Sequence, residues 1–129
     1  TNPVITDTPS DLTVEEGYTA QNLSWTATDA NPNTYTIESE GTGIVEGPTA
    51  WTSGGLITYD IPDGLSPGVY TYIITFIDES GNTVSDTVVF TVEEVADGRG
   101  AISFGNYYIL FTVLSIIGVL ILIKRKIIH

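Results

Sequence analysis

The chain has 129 residues, 42% of them hydrophobic, with sixteen Asp and Glu against four Lys and Arg and a formal charge of −12. Residues 1–98 contain no Lys or Arg, so nothing there offsets repulsion from a phosphate backbone, and nucleic-acid binding is excluded. There is no Cys and the one His is His129, which removes disulfides, thiol catalysis, thiolate or imidazole metal sites and a His-based triad.

From the N-terminus the pattern has period two. Leu23-Ser24-Trp25-Thr26-Ala27, Thr34-Tyr35-Thr36-Ile37-Glu38, Ile57-Thr58-Tyr59-Asp60-Ile61 and Val88-Val89-Phe90-Thr91-Val92 alternate apolar with polar, Thr above all. Turn signals separate them at Asn31-Pro32, Gly54-Gly55, Pro62-Asp63-Gly64 and Ser80-Gly81-Asn82. Strands are expected at 4–6 with 11–14, 21–28, 34–39, 44–51, 56–61, 69–77 and 84–93. About seven short strands in residues 1–94 predict an all-β antiparallel sandwich, because two sheets with one wet face each must bury the other against a partner. The phase puts Leu23, Trp25 and Ala27 inward. In the strand at 69–77, Tyr70, Tyr72, Ile74 and Phe76 share one face, with Val69, Ile73 and Ile77 on the other.

Residues 95–100 form a short acidic, glycine-containing linker. Gly100 to Ile123 then runs twenty-four residues without a charge. As a helix, Ile102 to Ile123 would span roughly 33 Å, enough for a hydrocarbon core of about 30 Å, so one transmembrane α-helix is expected at 101–123. Tyr107 and Tyr108 stand where an interfacial aromatic belt would, and Lys124, Arg125 and Lys126 open a short basic tail at 124–129. Three basic residues after the run against one before it place that tail in the cytoplasm and the N-terminal domain outside. No secretory signal precedes Thr1, so the export signal is expected upstream.

Pro9-Ser10-Asp11-Leu12-Thr13-Val14-Glu15-Glu16-Gly17, Leu23 to Pro32, Leu65-Ser66-Pro67-Gly68-Val69-Tyr70 and Asp78-Glu79-Ser80-Gly81-Asn82 before a Val-rich last strand resemble the immunoglobulin-like repeats of prokaryotic cell-surface proteins. The resemblance covers about residues 3–94 and is nearest to archaeal surface proteins, those of the Asgard group in particular, in which such a repeat precedes a C-terminal membrane helix with a basic tail. It implies an immunoglobulin-like sandwich, and it says more of fold than of function. Tyr70 stands where such domains often place a corner tyrosine; a plain core ring is the other reading.

If the first strand starts far from the membrane, the loops after the strands at 21–28, 44–51 and 69–77 share that far end with Thr1. Asp29, Asn31, Asp78 and Glu79 would meet there with Asn82, an oxygen-only set that suits Ca²⁺, although Asp and Asn are also ordinary turn residues. Trp51, beside Thr52-Ser53-Gly54-Gly55, is either a contact ring for a sugar or a neighbouring domain, or part of the core. Asn22, in Asn22-Leu23-Ser24, is the one permitted N-glycosylation acceptor. The carboxylate pairs Glu15-Glu16, Asp60/Asp63 and Glu93-Glu94 lack a cleft in so small a sandwich, and no enzyme is expected. Taken together, the residues describe a single-pass surface module displaying an acidic domain for structural or adhesive work. Glycan or calcium binding at the far loops, or assembly into a surface filament, are the alternatives. The expected partners are the lipid bilayer, neighbouring surface proteins, glycans or copies of the chain itself.

Overall fold

In residues 1–96, which the computed structural model describes, alternation produces eight strands. They are β1 (Val4–Asp7), β2 (Leu12–Glu15), β3 (Asn22–Thr28), β4 (Pro32–Ser39), β5 (Gly43–Ala50), β6 (Leu56–Asp60), β7 (Gly68–Asp78) and β8 (Thr83–Glu93). Two sheets result, ordered β1-β3-β6 and β2-β8-β7-β4-β5. Thr1–Glu94 form one compact unit that contains every buried apolar side chain described. The expected span at 101–123, Tyr107, Tyr108, Lys124, Arg125 and Lys126 lie outside the described residues.

Inner faces follow the predicted phase. Leu23, Trp25 and Ala27 of β3 face Ile37 of β4, Tyr72, Ile74 and Phe76 of β7, and Val88, Phe90 and Val92 of β8 in one core, while Ser24 and Thr26 stay partly exposed. The Trp25 Nε1–H, at full burial, donates to the Asp86 Oδ2 at 2.8 Å and so links β3 to β8 across the sandwich. Burial above all pushes the Tyr72 hydroxyl up to about 12; the Tyr35 hydroxyl reaches about 12 from burial first and then from the Glu46 carboxylate it donates to. Among the described residues, no buried side-chain nitrogen or oxygen lacks a partner.

Two features depart from the expectation. There are eight strands because the interrupted first strand serves both sheets: β1 pairs with β3, and β2 pairs with β8. Pro9, with no N–H to give a ladder, lies in the crossing between them, and the Asp11 Oδ1 takes the Val89 N–H at 2.9 Å as the chain reaches its new sheet. Since β2 keeps the direction of β1, it runs parallel to β8, so the sandwich is not wholly antiparallel. The partner of the stretch at 44–51, which the sequence left open, is β4: Glu40-Gly41-Thr42 closes a tight hairpin, with Gly41 at φ +82 and the Thr42 N–H donated to the Ser39 carbonyl. The three-stranded sheet therefore ends at β6.

Replacing Trp25 by Ala removes the largest fully buried side chain and strands the Asp86 carboxylate. Trp25→Ala is expected to cost about 3–5 kcal/mol out of a typical reserve of about 5–15, and Thr26→Ala to stay within about 0.5. Urea denaturation of both variants checks this; equal losses would contradict the strand phase.

Candidate functional site

Strand directions bring three loops and the N-terminus to one end of the sandwich. The Trp51 N–H donates to the Asn33 carbonyl, the Gly54 N–H to the Ala27 carbonyl and the Glu79 N–H to the Asn31 carbonyl, so the β3–β4, β5–β6 and β7–β8 loops are laced together by backbone. Asp29 adds side-chain bonds: its Oδ1 accepts the Asn31 N–H at 2.7 Å, and its Oδ2 accepts the Thr1 hydroxyl at 3.3 Å. The Ser53 hydroxyl in turn accepts the Asp29 N–H at 3.1 Å. Asp29, Asn31, Asp78 and Glu79 are thus on loops that touch.

The Asp29 and Asp78 carboxylates hold turns there, and Asn31 and Glu79 join through their backbone. Asp78 continues the inward face of β7 beyond Phe76 and is 2% exposed. Its Oδ1 accepts the Ser80 and Asn82 N–H groups and its Oδ2 the Asn82 side-chain amide, each at 2.8 Å, which closes the hairpin to β8. The Asn82 side chain lowers the carboxyl pKa most; burial raises it, and the Asn82 and Ser80 N–H groups and the positive N-terminus lower it again, leaving it below the ordinary 3.8. Among the described residues, no three acidic or imidazole side chains converge as a metal set.

Trp51 is core rather than an exposed contact: it is 5% exposed, meets Phe76 edge to face at 5.1 Å and 69°, and donates its Nε1–H to the Ile77 carbonyl at 3.0 Å. Sequence leaves it open because its burial depends on β5 pairing with β4, which brings residue 51 over the inner face. Tyr70 resolves in favour of the corner, since its hydroxyl donates to the Ser66 carbonyl four residues back at 2.7 Å at the start of β7. Asn22 is exposed at the start of β3, opposite Asp60, on the end away from Thr1. Beside it a shallow hollow of about 410 Å³ is lined by Ala20–Asn22 and Asp60–Asp63. The Asp63 Oδ1 accepts the Ala20 N–H at 2.9 Å, and Glu93 stands opposite Glu15 in the β2–β8 ladder.

A second cleft, of about 250 Å³, lies between β5 and β6 and is lined by Tyr35, Thr49–Thr52 and Gly55–Thr58. It was not legible in the sequence, because it exists only where the smaller sheet stops short.

No family model matches the chain, and no curated protein matches it. Solved structures do. The titin M3 domain is similar with a TM-score of 0.56 at 19% identity, over 70% of this chain and 96% of that one. The N-terminal Ig1-2 module of the Drosophila receptor protein tyrosine phosphatase DLAR is similar with a TM-score of 0.61 at 19% identity, over 75% of this chain and 52% of that one. A structure of the complex of titin M10 with Obscurin-like 1 matches with a TM-score of 0.54 at 18% identity, over 71% and 94%. These likenesses establish the fold, an all-β immunoglobulin-like sandwich of eight strands in two sheets.

Because the folded-state pKa of Asp78 is depressed, its contribution to stability is full above the ordinary 3.8 and is lost as pH falls through the lower folded value. Asp78→Asn, which loses the charge and the Asn82 amide bond, is expected to melt below the wild type at neutral pH, with the gap closing as pH drops below that ordinary value. Melting curves of the pair across this range check it; a gap independent of pH would count against the carboxylate. With both Asp78 oxygens engaged in the turn, melts of residues 1–96 at matched ionic strength are expected to superimpose with and without Ca²⁺, while added monovalent salt raises stability by screening like charges. A saturable gain from Ca²⁺ would instead support a calcium site at Asp29, Asn31, Asp78 and Glu79.

Proposed function

We propose that the chain is a single-pass, membrane-anchored surface module that displays an acidic immunoglobulin-like domain outside the cell, in structural or adhesive work and without catalysis, as in the archaeal surface proteins its repeat resembles. The observation that carries this is a self-contained sandwich with its ends apart, followed in sequence by a charge-free run with a basic stop. Thr1 is at the end of the touching loops, and Glu93 is at the other, beside Glu15 and Glu16. Chain leaving β8 thus departs from the end opposite Thr1, and the twenty-four uncharged residues from Gly100 to Ile123 and Lys124-Arg125-Lys126 follow. With no Lys or Arg before Arg99, electrostatics give the folded domain no attraction to anionic headgroups. Attachment is assigned to the apolar run alone.

Support for a protein-binding use comes from the similarity to a chain of the complex between titin M10 and Obscurin-like 1. Deleting residues 101–129 is expected to release a folded domain into the medium, whereas the complete chain fractionates with membranes. Retention of the shortened chain on membranes washed in high salt would overturn the anchor.

A further inference from the structure

We propose that the outer edge of β6 is an acceptor for an added strand, supplied by an extended segment of a partner protein in which apolar residues alternate with Lys or Arg. This deepens the adhesive reading by naming the surface and partner chemistry, and it does not depend on the membrane anchor.

The first ground is an open ladder. β6 pairs in unbroken register with β3, from Asn22 opposite Asp60 to Thr26 opposite Leu56, and among the described residues no strand pairs with its other side. The Ile61 N–H, next along the chain, donates to the Gln21 carbonyl at 2.9 Å. Backbone groups alternate in direction along an antiparallel strand, so Ile57 and Tyr59 also bond β3, while Leu56, Thr58 and Asp60 turn their N–H and C=O groups outward.

The second is that this edge is unguarded where its neighbour is guarded. Across the cleft, β5 is also an edge, but its ladder with β4 is irregular and contains Pro48, which has no N–H. Gly47 beside it has φ +91, and a Cβ there would run into the Tyr35 carbonyl. These are the devices that keep an edge from pairing. β6 has no Pro, no Gly, no cation and no bulge, and carries only Asp60 at its end.

The third is room and charge. A strand laid along β6 would direct alternate side chains into the cleft of about 250 Å³, against Trp51 and Ile57, where apolar groups fit. Its other side chains would lie on the outer face with Asp60 and with Leu56, which is 68% exposed. No Lys or Arg occurs in residues 1–98, so any cation on that face must come from the partner. A second copy offers β6 only the same acidic surface, and two identical edges would meet without a single opposite charge. The occupant is therefore a basic, alternating segment of a different protein, held by main-chain bonds and sorted by its alternate side chains.

Residues 1–96, which contain the entire described core, can be titrated with a short synthetic peptide of alternating Val and Lys and read by amide NMR and hydrogen exchange. The Leu56, Thr58 and Asp60 amides are expected to shift and to exchange more slowly. Replacing every Lys of the peptide by Glu is expected to weaken binding about tenfold, the scale of reversing one cross-strand pair with Asp60 together with attraction to the uniformly acidic domain. N-methylation of the peptide amides that face β6 is expected to abolish binding, and methylation in the other phase to leave it intact; the protein itself stays unaltered throughout. Equal binding by both methylated peptides would mean adsorption by charge alone and overturn the proposal. So would shifts centred on the outer face of β7, protection of the β6 amides by protein concentration alone, or protection in the complete chain without peptide, which would assign the edge to a second copy or to the chain's own later residues. None of these results bears on release of the chain shortened at residue 100, so the anchor and the acceptor can fail separately.

Discussion

Between the two sheets there is no backbone ladder, so the side chains between them must hold the domain together. Trp25 sits at the centre of that requirement. Its ring is fully buried and its one polar atom is answered by Asp86 from the opposite sheet, which turns a group that would be costly to bury into a cross-sheet bond. Everything on β3 follows from its phase: Leu23 and Ala27 inward with Trp25, and Ser24 outward within reach of the Thr58 hydroxyl of β6. The same bond fixes β8 against β3, and β8 in turn carries β2 on one side and β7 on the other.

Most of this is written locally and could be read there. Alternation at Leu23–Ala27 or Val88–Val92 reports one wet and one dry face, which suffices for strand position and for Trp25 burial. Partner choice is not written in that alternation. Nothing in Ile44–Ala50 says which neighbour it will pair with, and Trp51 changes from surface ring to core with that choice. Parallel pairing of β2 with β8 was equally hidden, because direction follows from which sheet the second half of a broken strand joins. At the loop end, the sequence showed that Asp29, Asn31, Asp78 and Glu79 would gather once strand directions were assumed. It did not show how the Asp78 oxygens are used: burial beside Asn82 and Ser80 turns a candidate ligand into a hairpin staple.

Charge and fold constrain function jointly. A domain whose carboxylates face no internal cation gains nothing from its own surface electrostatics, so they act outward: against anionic polymers and like-charged copies, and toward basic partners. The sandwich accommodates this because its cohesion comes from an apolar interior whose few polar atoms are all paired among the described residues. Tyr70, bonded to Ser66, and Tyr18, whose hydroxyl reaches the Pro62 carbonyl while its ring meets Phe90 edge to face at 5.2 Å, fasten the loops at the other end without any charge.

One short turn accounts for the surface that such a domain has to offer. Had the connection after β4 crossed between sheets, as the equally short Asp29-Ala30-Asn31 does after β3, the next strand could have extended the smaller sheet, covered β6 and filled the cleft above Ile57. Glu40-Gly41-Thr42, with the Thr42 N–H donating to the Ser39 carbonyl, instead folds β5 back on β4. The larger sheet gains an edge guarded by Gly47 and Pro48, and the smaller one is left with a bare edge. A three-residue choice in the sequence thus sets strand order, strand order sets which main-chain groups face solvent, and the uniform charge around them sets what can answer.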